Sequence, residues 1–224
     1  MSVLCSTVNV CAADATGFSG YATLTSQYIY RGLAYSNGDP AVQLSGDYQH
    51  DSGIIAGAWA STIDLQGNGT QRDLEFDYYL GYRTALNPDW TADLTAVRYS
   101  YPRATGSHSY DYTEVLLGTT WRDRYSVELG FTNNLYGLDL VGRHWELRGE
   151  WPVANTWVIG AGIGGNDLSG LGVSHFAHWD LGASARLSRF TFDLRWFDNQ
   201  QPDYLSISNL SAGSQIVVSV SVGF

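Results

Sequence analysis

The sequence predicts an all-β fold, a closed antiparallel up-and-down transmembrane barrel of about twelve strands, and three observations predict it. From Phe18 onward, stretches of roughly ten residues alternate apolar and polar positions. The connections between them alternate between short and long. Aromatic residues gather beside the short ones.

Strands are expected near residues 18–31, 40–51, 53–65, 72–85, 89–101, 109–122, 124–134, 142–152, 155–165, 174–187, 189–199 and 213–224. In the second, Val42, Leu44 and Tyr48 oppose Gln43, Ser45, Asp47 and Gln49. The fourth sets Leu74, Phe76, Tyr78, Leu80 and Tyr82 against Asp73, Glu75 and Asp77. The seventh sets Tyr125, Val127, Leu129 and Phe131 against Ser126, Glu128 and Gly130. In the eighth, Trp145, Leu147 and Trp151 oppose His144, Glu146, Arg148 and Glu150. The tenth carries Trp179, Leu181, Ala183, Ala185 and Leu187 against His178, Asp180, Ser184 and Arg186. The eleventh carries Phe190, Phe192, Leu194 and Trp196 against Thr191, Asp193 and Arg195. The last, QIVVSVSVGF, ends on Phe224 with Ile216, Val218, Val220 and Val222 on the same face. An apolar terminal strand needs both a covered face and a paired edge, and a barrel in lipid supplies both. No helical period of useful length and no domain linker interrupts the pattern.

The short connections are DSG (51–53), TALNPD (84–89), RDR (122–124), VANT (153–156) and LSR (187–189). The longer ones are GLAYSNGD, QGNGTQ, YPRATGSH, NNLYGLDLVG, GGNDLSGLGVS and DNQQPDYLSISNLSAG. Tight turns on the periplasmic side and longer outer loops are expected of an outer-membrane barrel, with both termini periplasmic. Trp90, Trp121, Trp151, Trp157, Phe190 and Phe224 adjoin the short turns and form the expected interfacial girdle. A soluble sandwich or lipocalin-like barrel would also alternate. Its polar face would then carry lysine and glutamate, and the chain has no lysine.

The 224 residues carry 12 basic residues, all arginine, against 22 acidic ones, a formal charge of −10. That balance argues against a nucleic-acid partner. Arginine without lysine is as readily a codon bias as a functional choice. Apolar runs such as IIAGAWA are too short for a membrane helix, which leaves the barrel reading untouched. Residues 1–13 read as the remnant of a signal peptide ending in the cleavage-like CAADA, though without a basic start. The barrel domain then occupies 14–224. Cys5 and Cys11 both fall in the leader, and its removal leaves a cysteine-free exported chain. A lipid-attachment reading of VNVC fits poorly.

With the apolar parity facing lipid, the polar parity faces the lumen. Its acids are Asp47, Asp73, Glu75, Asp77, Asp93, Glu114, Glu128, Glu146, Glu150, Asp180 and Asp193. Its bases are Arg83, Arg148, Arg186 and Arg195. The imbalance favours cations in an open pore. The Glu146/Arg148/Glu150 and Asp193/Arg195 sets read more readily as internal braces than as selectivity elements. Tyr79, Tyr110, Tyr112 and Phe197 point inward by parity and narrow the lumen, and the 198–212 loop is the candidate plug. Twelve strands lie between the filled eight-strand barrel and the open sixteen-strand channel.

Catalytic and metal motifs are thin. His50, Asp51 and Ser52 are consecutive in a tight turn, where three neighbours cannot converge as a triad. GSHS (106–109) has no partner, and SNGDP (36–40) is a turn. GIGGND (162–167) is a single copy of a pattern that binds calcium only in stacked repeats. No cofactor and no metal are expected.

Several stretches resemble a bacterial family known as Gcw_chp, also labelled TorF-type porins. They are SQYIYRGLAYSNGDPAVQ (26–43), YQHDSGIIAGAWAS (48–61), DLEFDYYLGY (73–82), DYTEVLLG (111–118) and HWDLGASARLSRFTFDLRWFDNQ (178–200). Ile54 and Ile55 stand where the resemblance leads one to expect an aromatic. The resemblance implies an outer-membrane barrel with pore activity and supplies no catalytic residues. The expected function is passive diffusion of small polar solutes or ions, with a cation preference. The alternatives are a closed structural barrel or an outer-membrane lipid-modifying enzyme, which would need a nucleophile and base within hydrogen-bond reach. The expected partners are the bilayer, lipopolysaccharide and, through the aromatic C-terminal strand, the insertion machinery.

Overall fold

The computed structural model describes residues 16–67, 70–106, 108–168, 173–200 and 213–224. Residues 1–13, with Cys5 and Cys11, lie outside the described residues, as does the 201–212 part of the expected plug.

Twelve antiparallel strands close into one barrel: β1 (Gly17–Thr25), β4 (Ala41–Gln49), β5 (Ile54–Gly67), β6 (Thr70–Asn87), β7 (Trp90–Ser100), β8 (Tyr112–Trp121), β9 (Tyr125–Thr132), β10 (Gly142–Pro152), β11 (Trp157–Leu168), β12 (Val173–Leu187), β13 (Phe190–Asn199) and β14 (Gln215–Gly223). Two short strands, β2 (Ile29–Tyr30) and β3 (Leu33–Ala34), pair only with each other. Each barrel strand pairs with its chain neighbours, and β1 closes the ring by pairing with both β4 and β14. The C-terminal strand therefore has no free edge. Gly20 and Phe224 exchange both backbone hydrogen bonds, at 2.9 and 3.0 Å.

The period-2 pattern decides which face meets lipid. On β6, Leu80 is 63 % exposed, whereas Asp77 on the opposite face is 0 % exposed. The same inside-out arrangement recurs at Leu94, Leu117, Leu181, Leu194 and Val218, all exposed. In lipid each strand must pass its backbone hydrogen bonds to a neighbour, and closure does this for all twelve.

The girdle residues form a connected belt at the short-turn end. Ring centroids of Trp90 and Trp121 lie 6.4 Å apart, Trp121 and Tyr125 5.5 Å, and Tyr125 and Trp151 6.1 Å. Trp151 Nε1 donates to the Tyr125 hydroxyl at 3.1 Å. Trp157, Phe190 and Phe224 are exposed at the same end.

Two expected long loops are flanked by strand that extends into them. Gly67 pairs with Thr70, and Leu168 pairs with Val173, so QGNGTQ and GGNDLSGLGVS are largely strand. Backbone ladders do not depend on side-chain polarity. Above the apolar band nothing demands alternation, and such extensions read as loop. The β5–β6 ladder slips between Thr62/Leu74 and Leu65/Arg72. Above this bulge Leu65 and Arg72 are both buried. The first strand also stops earlier than expected, at Thr25 rather than residue 31.

A lumen narrowed by its first hairpin

The residues after Thr25 leave the wall and enter the barrel as the β2–β3 hairpin. The sequence YIYRGLAY builds it. Arg31 at φ 49° and Gly32 at φ 80° occupy the two central positions of a two-residue turn. A Cβ at residue 32 would collide with His178 on β12, so glycine is required for space as well as for backbone. Arginine in the left-handed region is strained, at a cost of about 1–3 kcal/mol. Its side-chain contacts offset that cost.

The flanking tyrosines anchor the hairpin. Tyr28 packs on Trp59 with centroids 5.3 Å apart, and the Tyr30 and Tyr99 hydroxyls lie 2.8 Å apart. The Tyr35 hydroxyl meets that of Tyr136 at 2.6 Å, and Asp64 N–H donates to Tyr35 O at 2.8 Å. Tyr110 and Tyr112 join this aromatic core. Arg72 stacks its guanidinium over the Tyr110 ring at 4.2 Å. The long-loop end of the lumen over β5–β8 is thus filled by side chains.

The tip carries the charge chemistry. Arg31 Nη1 and Nη2 donate to Glu114 Oε1 and Oε2 at 3.2 and 2.9 Å. Tyr99 donates to Glu114 Oε2 at 3.1 Å, and His144 Nδ1 lies 3.2 Å from Oε1. His144 Nε2 lies 3.1 Å from Glu128 Oε1. Farther round the wall, Asn166 Nδ2 donates to Arg31 O at 3.1 Å and Asn199 Nδ2 donates to Gly32 O. Side chains from β5 round to β13 hold one hairpin.

A second network lies along β10, β12 and β13. Arg148 forks onto Asp180 at 3.1 and 2.8 Å and reaches Glu146 at 3.2 Å. Arg195 pairs with Asp180 and, at 3.2 Å, with Asp193. Gly160, Gly162 and Gly164 on β11 leave the volume these side chains occupy. GIGGND is therefore a strand segment that makes room inside the barrel.

Among the described residues, Asp77 has no hydrogen-bond partner on either oxygen, and one oxygen each of Asp47, Glu75 and Glu128 is likewise without one. Glu75 accepts from Tyr101 at 2.9 Å, and Tyr79 donates to Asp47. Arg83 lies 3.5 Å from Asp93 on the next strand. Glu150 is partly buried near the short turns, and Phe197 is buried.

Two expected lumen residues lie elsewhere. Asp73, beside the β5–β6 bulge, is half-exposed and pairs with Arg103 of the loop after β7 at 3.2 Å. Arg186 is at the short-turn rim and exposed, since β12 leaves the enclosed zone before it. The sequence reading put His144 on the polar face without a role and passed over Arg31, Tyr99, Asn166 and Asn199. The hairpin could have been found from paired aromatics flanking an X-Gly dipeptide. His50, Asp51 and Ser52 form a turn in which His50 Nδ1 lies 2.9 Å from Ser52 Oγ and Asp51 accepts from Thr16.

A family model described as "Bacterial protein of unknown function (Gcw_chp)" matches residues 10–224. The chain belongs to the Gcw_chp family. No curated protein matches it. Among solved structures, the KdgM porin is similar at 10 % identity, TM-score 0.56, covering 92 % of this chain and 99 % of that one. The NanC porin is similar at 9 % identity, TM-score 0.56, covering 93 % and 99 %. The Pseudomonas putida toluene transporter TodX is similar at 12 % identity, TM-score 0.52, covering 94 % and 90 %. At these identities the likeness is one of fold. The closed twelve-strand barrel with its lipid-facing band points the Gcw_chp chain to the outer membrane.

Proposed function

We propose that this Gcw_chp barrel is an outer-membrane channel of the porin type, as the TorF-type label conveys, whose path is narrowed by its first outer loop. The observation that carries the reading is the β2–β3 hairpin inside the barrel, clamped by Arg31 on Glu114 and by the Asn166 and Asn199 amides. A partly solvated strip including Glu128, Glu146 and Arg148 runs beside it. Carboxylates outnumber arginines there, so small cations or polar solutes are favoured over anions. One KdgM structure holds a disordered oligogalacturonate, a polyanion, and this lumen is poorly suited to such a ligand. The short turns and both chain termini then face the periplasm. Lipopolysaccharide surrounds the outer leaflet, the Phe224 strand serves insertion, and residues 1–13 act as the export leader.

Refolded protein in a planar bilayer under a salt gradient tests this. Wild type should give small, cation-selective steps, and replacing 27–36 with a short glycine–serine link should raise conductance several-fold. Silence from both folded proteins would favour a closed structural barrel.

A further inference from the structure

We propose that the Glu114 seat is a binding site for guanidinium-bearing cations, filled in cis by the Arg31 side chain. This deepens the channel reading and rests on it for the route by which a solute arrives. The seat is built around a fork. Both Glu114 oxygens face Arg31, and Tyr99 and His144 each fix one of them. The Tyr30 ring lies 4.6 Å from the guanidinium carbon and offers a face for a planar cation. A planar fork meets a carboxylate at two points, whereas an ammonium meets it as a single point charge.

Arg31 does not exhaust the acceptor oxygens around it. Among the described residues, Glu128, joined to Glu114 through His144, has one oxygen without a hydrogen-bond partner, as do both oxygens of the buried Asp77. The arginine is also the part of the hairpin that can leave. Its side chain is 15 % exposed, while Tyr28, Tyr30, Leu33 and Tyr35 are buried. The backbone stays held by Asn166 and Asn199 when the guanidinium swings away. A solute cation therefore competes with a tethered arginine, whose effective concentration is on the order of millimolar or higher.

The experiment uses the folded full chain in detergent, titrated calorimetrically with argininamide and, for comparison, lysinamide. Arg31→Asn removes the tethered competitor and keeps the turn, because Asn-Gly is a favoured pair for this geometry. The expected result is argininamide binding at least about tenfold tighter to Arg31→Asn than to wild type. Argininamide should also exceed lysinamide by about tenfold, with both effects lost on adding Glu114→Gln. Arg31→Ala repeats the test if the first variant fails to show the boiling-dependent gel shift of a folded barrel. No binding to either folded variant, or equal binding of the two amides, would mean that the Arg31–Glu114 pair is only a brace. Bilayer recording separates the two proposals. Conductance without guanidinium preference overturns the site and leaves the channel. Guanidinium binding in a protein silent even without its hairpin supports the site and overturns the channel.

Discussion

Gly130 on β9 faces the His144 imidazole, and a Cβ there would collide with the ring that joins Glu114 to Glu128. Gly130→Val should destabilise the barrel by about 1–3 kcal/mol through overpacking. Gly46 has nothing within 4 Å of its would-be Cβ, so Gly46→Val should be close to neutral. Urea unfolding followed by tryptophan fluorescence in detergent would compare them, and equal midpoints would contradict the packing argument. Two aspartates on one strand make a second contrast. Asp77 is enclosed and without a hydrogen-bond partner among the described residues, whereas Asp73 is half-exposed and pairs with Arg103 of the loop after β7. Asp77→Asn should keep or raise the urea midpoint, because a buried carboxylate without a partner is costly, and Asp73→Asn should change stability by less than about 1 kcal/mol, as an exposed ion pair contributes little. From sequence the two were equivalent, since both sit on the polar parity of DLEFDYYLGY. The bulge beside Asp73 lies in the upper β5–β6 ladder, where Gln71 of β6 also donates its N–H to Thr105 of the loop after β7, and a single strand's pattern does not encode it.

The strands are the most legible elements, because lipid and backbone geometry impose one period on all of them. Leu80 marks this on β6, and Leu80→Arg should cost about 2–4 kcal/mol near the membrane midplane. Unfolding in thin-bilayer vesicles would measure it, and a negligible change would argue that this face does not meet lipid. The hairpin Ile29–Ala34 was less legible. Its tyrosines continue the alternation of β1, so the reading ran the first strand on to residue 31. What turns it inward is contact with residues far along the chain: Trp59, Tyr99 and Glu114 on one side, Asn166 and Asn199 on the other. The role of the β11 glycines was hidden for the same reason. Their meaning lies in the bulk of Arg195, Asp180 and His178 on neighbouring strands.

At the scale of the molecule, closure makes a direct prediction. A ring with no free edge should resist detergent until boiled, so unboiled and boiled protein should migrate differently on a gel. Identical migration of folded protein would argue against closure. The architecture, the lipid-facing surface and the aromatic belt follow from local alternation, turn length and the affinity of tryptophan for an interface. Each of these acts on residues near in sequence, so the chain read alone is enough to establish them. The filling of the lumen was decided only by the tertiary structure. Arg31 meets Glu114 across 83 positions and Asn166 meets Arg31 across 135. Pairings at such separations depend on strand register and on the volume left by small residues opposite, and both quantities exist only once the barrel has closed.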